Sequence, residues 1–345
     1  MIKRRKRIPV LQFIFIGLWP SFIKKIIYRS MGYRIGKNVQ MSFGAFVSGR
    51  KVIIDDGVQI GLLAVIQAKE IHIGRFSTIG AFSYLDTEVI DIGEDTRIRE
   101  QVFVGGLTTP ESRLSVGSRC LIMQMCYLNP TFPIIIGDDS ALGGNTLLFT
   151  HSSWLSVLEG YPASFGSISI GKKVWIPWRT FITSGVSIGD HVIVQPNTLV
   201  NENIPANSIA GGRPLRIVPN AIYRPLNQKA KLDKIQSILQ EFIVYLNYYE
   251  IKANHTTNPD FDEYVIEKNG MNRIFLCLDS KIQLKVSQLD VILYCDATDR
   301  NSISFPNTAG MILNIASMTR LGSCELGEEF VRFFSRYGIR FTRID

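Results

Sequence analysis

The sequence predicts a mainly β fold, a parallel β-helix of triangular section, on three observations. An aliphatic residue recurs every six positions from Ile35 to Pro205 with few breaks. Gly and then a turn-forming polar residue follow many of these, as in Ile92-Gly93-Glu94, Ile136-Gly137-Asp138 and Ile188-Gly189-Asp190. The apolar spacing of three and four that a helix would need is absent from the same stretch. Hexapeptide periods mark parallel β-helices, whereas a β-sandwich would show period-two alternation with turns at irregular spacing.

In chain order, the first element is an N-terminal segment, residues 1–34. It opens on the basic cluster Lys3-Arg4-Arg5-Lys6-Arg7 and continues with an apolar stretch from Ile8 to Ile23, interrupted by Gln12, Gly17, Pro20 and Ser21. The stretch is short for a membrane span, Pro20 breaks it, and it lacks the small-residue cleavage site of a signal peptide. Lys24, Lys25 and Arg29 follow on the next turns. Two roles fit such a basic amphipathic segment, and they are compatible. It can lie in the interface of an anionic membrane, or it can cap the apolar end of the β-helix.

Residues 35–219 form the repeat domain, which is regular at its end, with Ile170, Ile176, Ile182, Ile188 and Val194 six apart. One aliphatic side chain per six points inward, and a small or β-branched residue four positions later faces the interior too. Three sixes make a coil of about eighteen residues. No coil buries its apolar face alone, so the coils must stack. Each buried Ile or Val contributes roughly 1.5–3 kcal/mol. Glycine is expected at the turns to relieve an unusual backbone angle.

Residues 220–345 read as a helix followed by a small α/β domain of unassigned role. Gln228 to Glu250 places Leu232, Ile235, Leu239, Phe242 and Leu246 on one helical face. A polar linker is expected over Asn254–Asp260. Strand-like runs follow at Ile274–Leu278, Val291–Cys295 and Met311–Ala316, then a helix over Leu326–Arg336 and a strand near Ile339–Ile344.

The chain has 345 residues, enough for two domains, and its 46% hydrophobic content excludes a disordered protein. Much of its net charge of +8 lies in the first cluster, and nothing implies nucleic acid. Cys120, Cys126, Cys277, Cys295 and Cys324 are odd in number and lack metal-ligand spacing. They read as reduced residues of a cytoplasmic protein.

Only four histidines offer a base near neutral pH: His72, His151, His191 and His255. His191 takes a corner place in Ile188-Gly189-Asp190-His191, His72 flanks a repeat, and His255 falls in the polar linker. His151 differs. The repeat is regular through Leu148-Phe149-Thr150, departs at His151-Ser152-Ser153-Trp154 and recovers at Ile168. Such an excursion can wall a site, so His151 is the candidate general base. Asn145 lies six residues earlier as a possible neighbour, and Glu159 is the nearest acidic candidate to orient the imidazole. Three histidines converging on a metal are not provided by this spacing, so no metal site is expected.

The stretch Val174-Trp175-Ile176-Pro177, then Gly185-Val186-Ser187-Ile188-Gly189-Asp190, then Ala210-Gly211-Gly212-Arg213-Pro214-Leu215-Arg216-Ile217, resembles the C-terminal signature of the bacterial hexapeptide-repeat acyltransferases. The resemblance covers about residues 35–219. It implies a left-handed coil, against the usual crossover rule, and a catalytic histidine just before an excursion, which matches His151. It also implies acetyl-coenzyme A as acyl donor, bound between adjacent prisms of a homotrimer. Trp175 and Trp178 would lie against the pantetheine arm, with Arg213 and Arg216 near the phosphates. Many members read Val-Thr-Lys-Asp-Val-Pro where this chain reads Val200-Asn201-Glu202-Asn203-Ile204-Pro205, so Glu202 removes a common phosphate partner. By analogy the acceptor is a hydroxyl or amine of a sugar, sugar nucleotide or glycan in surface-polysaccharide assembly. The enzyme would work in the cytoplasm, peripherally at the inner face of the membrane. The alternative is a non-catalytic β-helix scaffold that binds a partner.

Overall fold

A computed structural model describes residues 13–221, 226–258, 261–267, 271–277, 286–294 and 309–344. The basic cluster Lys3–Arg7, the start of the apolar stretch (8–12), Pro259, Asp260, Leu278 and Cys295 lie outside the described residues. The chain divides into two compact units, Met1–Tyr223 and Arg224–Asp345.

The first unit is a left-handed parallel β-helix with three faces. Strands of the first face run in parallel from Arg34–Ile35 to Ser187–Ile188, those of the second from Gln40–Met41 to Ile209–Gly211, and those of the third from Phe46–Ser48 to Leu199–Val200. A last strand, Arg216–Val218, folds back antiparallel on the second face.

Register shows why six residues are needed. On the first face Ile54, Ile73, Ile92, Val116, Ile136, Ile170 and Ile188 lie one above another. Leu85, Val104, Leu128, Leu148, Ile182 and Val200 repeat this on the third face, and all are buried. The residue four positions on is also interior, and it supplies the polar bonds of the turn. Ser77, Thr96 and Ser140 donate their hydroxyls to the carbonyls of Gly93, Gly117 and Gly171 in the next coil. Each small hydroxyl thus satisfies a backbone acceptor that would otherwise be buried unpaired.

Although Gly44, Gly57 and Gly185 elsewhere in the repeats do take a left-handed backbone, the role expected of the glycine that follows the inward aliphatic is corrected. The left-handed backbone falls two positions beyond it, at Asp95, Arg119, Asp139, Lys173 and His191 along one edge. Glycine is needed instead for close stacking. A Cβ on Gly74 would stand 2.7 Å from the carbonyl carbon of Gly93, and one on Gly93 would stand 2.6 Å from that of Gly117.

The N-terminal segment closes the apolar end. A π-helical turn, Phe13–Gly17, and helix α1, Ser21–Ser30, lie against the first coil. Pro20 stands at the N-cap of α1, where its missing N–H costs nothing. The Tyr28 hydroxyl accepts the Val47 N–H, and Lys24 is fully buried rather than part of a basic surface. Its ammonium donates to the carbonyls of Ser42 and Ala45 at 2.6 and 3.1 Å. These acceptors explain how the charge is tolerated, and burial lowers the Lys24 pKa to about 8.

Among its described residues the second unit is a seven-stranded mixed sheet with two α-helices, α2 (Gln228–Tyr248) and α3 (Glu325–Phe334). Its core joins Ile235, Leu239, Phe242 and Leu246 of α2 to Phe330, Phe333 and Phe334 of α3. The polar linker expected after α2 is instead an edge strand, Lys252–Thr257, paired antiparallel with Phe261–Glu267. Most of its side chains remain in solvent, so polar residues cost nothing there, and period-two hydrophobicity could not reveal it. The sheet continues through Met271–Cys277, Val291–Tyr294, Met311–Asn314, Thr319–Gly322 and Thr342–Arg343.

Candidate active site

His151 stands where the third face turns toward the first. After the strand Leu147–Phe149 the chain leaves the prism as a hairpin, with His151–Ser152 paired to Ser164–Phe165 and an exposed 3₁₀ turn, Val157–Glu159, between them. Its base is pinned by Gly166, whose N–H donates to the Thr150 carbonyl at 3.0 Å. Thr150 is buried and donates its hydroxyl to the Asn129 carbonyl of the coil before. The imidazole stacks on Phe165, with ring centroids 6.4 Å apart and planes 12° from parallel. Phe165 is packed in turn against Phe132. The His151 Nδ1 is buried with no hydrogen-bond partner among the described residues, so Glu159 does not orient it within one chain. Phe165 is a site residue that sequence reasoning missed, although Gly166 beside it marks the return to the prism.

Asn145 has a left-handed backbone and an exposed side chain at the corner between the second and third faces. It therefore sits at the far end of the third-face strand from His151. Six residues of extended chain span up to about 20 Å. A single chain does not bring the two together. Trp178 belongs to the same corner as Asn145, and its ring occupies the space a Cβ on Gly144 would need. Trp175 projects from the second face, 41% exposed, between Ala141 and Ile193 of the neighbouring coils. Further along that face, Arg213 and Arg216 line a cavity of about 360 Å³ with Gln195. Glu202 is exposed. The residues expected to hold the donor thus gather on the second face and its edge, and His151 stands on another edge.

The remaining histidines lie elsewhere. His191 occupies an exposed left-handed corner, and His255 stacks on Tyr264 in the second unit at 4.4 Å. His72 lies between Asp91 and Asp55, at 2.8 and 3.2 Å. Burial lowers its pKa, but the hydrogen bonds and charges of the two carboxylates outweigh this and raise it overall. Because the folded value lies above the unfolded one, the stabilisation is full below about pH 6.5 and fades as pH rises through the folded pKa. His72→Gln should remove this slope from stability curves taken between pH 5 and 8. Since His72 is 43% exposed, the effect should be below about 1 kcal/mol. Among the described residues no cluster of His, Cys, Asp and Glu could hold a metal ion, and Cys120, Cys126 and Cys324 are free thiols.

Two curated proteins align with the repeats. YvoF of Bacillus subtilis, provisionally named an acetyltransferase, is 32% identical over 108 residues, 31% of this chain and 60% of its own length. The galactoside O-acetyltransferase of Escherichia coli is 32% identical over 134 residues, 35% of this chain and 62% of its own. The relatives of this chain are hexapeptide-repeat acetyltransferases. The chain spans about 60% of the length of these first relatives. Among solved structures, a UDP-N-acetylglucosamine acyltransferase is 18% identical with a TM-score of 0.43, covering 60% of this chain and 78% of that one. The hexapeptide-repeat acetyltransferase VCA0836 of Vibrio cholerae, solved with acetyl-coenzyme A, is 23% identical with a TM-score of 0.27, covering 43% of this chain and 69% of that one. No protein-family model matches the chain.

Proposed function

We propose that this chain is an acyltransferase that moves an acetyl group from acetyl-coenzyme A to a hydroxyl, or an amine, of a sugar in surface-polysaccharide assembly. The observation that carries the reading is His151, held by a stacked aromatic ring at the one corner where a hairpin leaves the late coils. In this mechanism His151 removes the acceptor proton as its oxygen or nitrogen attacks the thioester carbonyl. Backbone N–H groups of the adjoining coil hold the oxyanion that forms. Its collapse expels coenzyme A as a thiolate, a good leaving group because thiol pKa values lie near 8.5, and the proton stays on the imidazole until product leaves.

The working unit in this reading is a homotrimer. The donor-binding candidates and His151 stand on different edges of one prism, so a second prism must bring Asn145, Trp175 and Trp178 of one chain to His151 of another. The bare hairpin supports this, with Trp154 and Leu158 each 95% exposed. Arg213 and Arg216 take the phosphates in the absence of the lysine that Glu202 replaces. Domains 1–34, 35–219 and 220–345 would act as cap, catalyst and accessory unit. The enzyme would work in the cytoplasm, drawn to anionic membrane by its basic N-terminus.

Calorimetric titration of the full chain with coenzyme A tests the reading against a non-catalytic scaffold. The wild type should bind, and Gly144→Ala should bind about tenfold more weakly, because the new methyl displaces the Trp178 ring. In turnover the same variant should raise KM for the donor and spare kcat. The absence of any binding heat with the wild type would leave the scaffold.

A further inference from the structure

We propose that the cap of the β-helix is a lipid-docking face, on which Phe15, Leu18, Trp19, Phe22 and Ile26 enter the interface of an anionic membrane. The proposal deepens the membrane association in the reading above and is independent of the acyl chemistry. Helix α1 has two apolar directions. Lys24 and Tyr28 turn inward onto the first coil, whereas Phe22 and Ile26, one turn apart on the opposite side, are 61% and 63% exposed. The π turn behaves alike. Ile16 packs against the core, while Phe15 is 70%, Leu18 46% and Trp19 48% exposed. The Gly44 N–H donates to the Gly17 carbonyl at 2.8 Å, which sets the exposed Phe43 beside the cap and extends the patch onto the first coil. A contiguous apolar face of this kind marks a docking surface.

Charge decides what docks there. No Asp or Glu occurs before Asp55, whereas twelve Lys and Arg do, more than the net charge of +8 carried by the whole chain. Lys25 and Arg29 stand on α1 itself, and the Arg29 guanidinium is fixed by the Ile35 carbonyl at 2.9 Å. Two copies meeting through this face would oppose like charges, which disfavours a second copy as occupant. Anionic headgroups attract the same charges, and Trp beside Lys and Arg is the composition of a membrane interface. Among the described residues no helix is long and apolar enough to cross a membrane, so the cap would lie on the surface. His151 follows the sixth strand of the third face, five coil steps from the first. At about 4.8 Å per step this holds the site about 24 Å above the first coil, clear of the lipid.

Flotation of the full chain with phosphatidylcholine vesicles, with and without half phosphatidylglycerol, tests the proposal. The wild type should float with the anionic vesicles, and brominated lipid should quench a tryptophan signal that Trp19→Phe abolishes. Phe22→Ser with Ile26→Ser should reduce anionic binding at least about tenfold at an unchanged melting temperature, because both side chains point away from the core. Binding by this double variant equal to wild type, with salt releasing both, would mean attachment by charge alone and would overturn the proposal. A wild type that ignores the vesicles, or a double variant whose only change is in light-scattering mass, would overturn it too. Transfer to a soluble acceptor, measured alongside, is expected to be the same in both proteins and reports separately on the acyltransferase reading.

Discussion

Replacing His151 with Ala should lower acetyl transfer by about 10²–10⁴, the range for loss of a positioned general base. Folding should not suffer. The imidazole is half-buried on a two-residue pairing outside the prism, and the coils beneath are held by their own ladders. Release of free coenzyme A thiol in the presence of a panel of saccharide acceptors is the measurement, with a thermal melt as the control for folding. Phe165→Ala should produce a smaller loss, since Phe165 orients the ring without touching the reacting atoms. The loss should fall on kcat with KM for the donor little changed, because only the orientation of the base is disturbed. Wild-type turnover by His151→Ala would remove this residue from the mechanism and leave Asn145, Trp175 and Trp178 without a base to serve.

The second large effect is expected at the hairpin tip. Trp154→Ser with Leu158→Ser should turn a trimer into monomers at micromolar concentration and abolish transfer, although His151 is untouched. The physical ground is that both side chains are almost wholly bare in one chain. Buried anchors of this kind typically contribute 2 kcal/mol or more each at an interface, and two of them amount to roughly a thousandfold in association. Light scattering of wild type and variant reads the mass directly. A wild type that is monomeric at micromolar concentration while fully active would sink the shared cleft.

Why the coil was legible and the site less so can be argued from particular residues. The aliphatic six-residue period is local, and each of Ile170, Ile176, Ile182 and Ile188 needs only its own turn to be placed inward. The stacking partner is not local. Ile136 pairs with Ile170 across the hairpin, and Ile92 pairs with Val116 across a second excursion between Val104 and Arg113. Asn145 follows the repeat and was placed near His151 by its spacing of six. Spacing of six means the next face, whereas a neighbour in the next coil is a full turn away. Lys24 read as a basic surface residue because nothing in α1 itself shows that the Ser42 and Ala45 carbonyls wait beneath it.

By itself the sequence determined that the chain winds as a parallel β-helix, because one inward aliphatic per six residues is incompatible with a helical or alternating core. It also singled out His151, because it is the histidine that falls where the repeat breaks. Tertiary structure alone decided three things. The glycine after the inward aliphatic serves coil-to-coil contact rather than backbone angle, since the clash of a Cβ on Gly93 comes from Gly117 in the following coil. Lys24 faces inward and Phe22 outward, since the open end of the prism supplies carbonyls on one side of α1 only. And His151 stands apart from Trp178 and Asn145, since the three corners of a coil are held apart by the width of the strands between them.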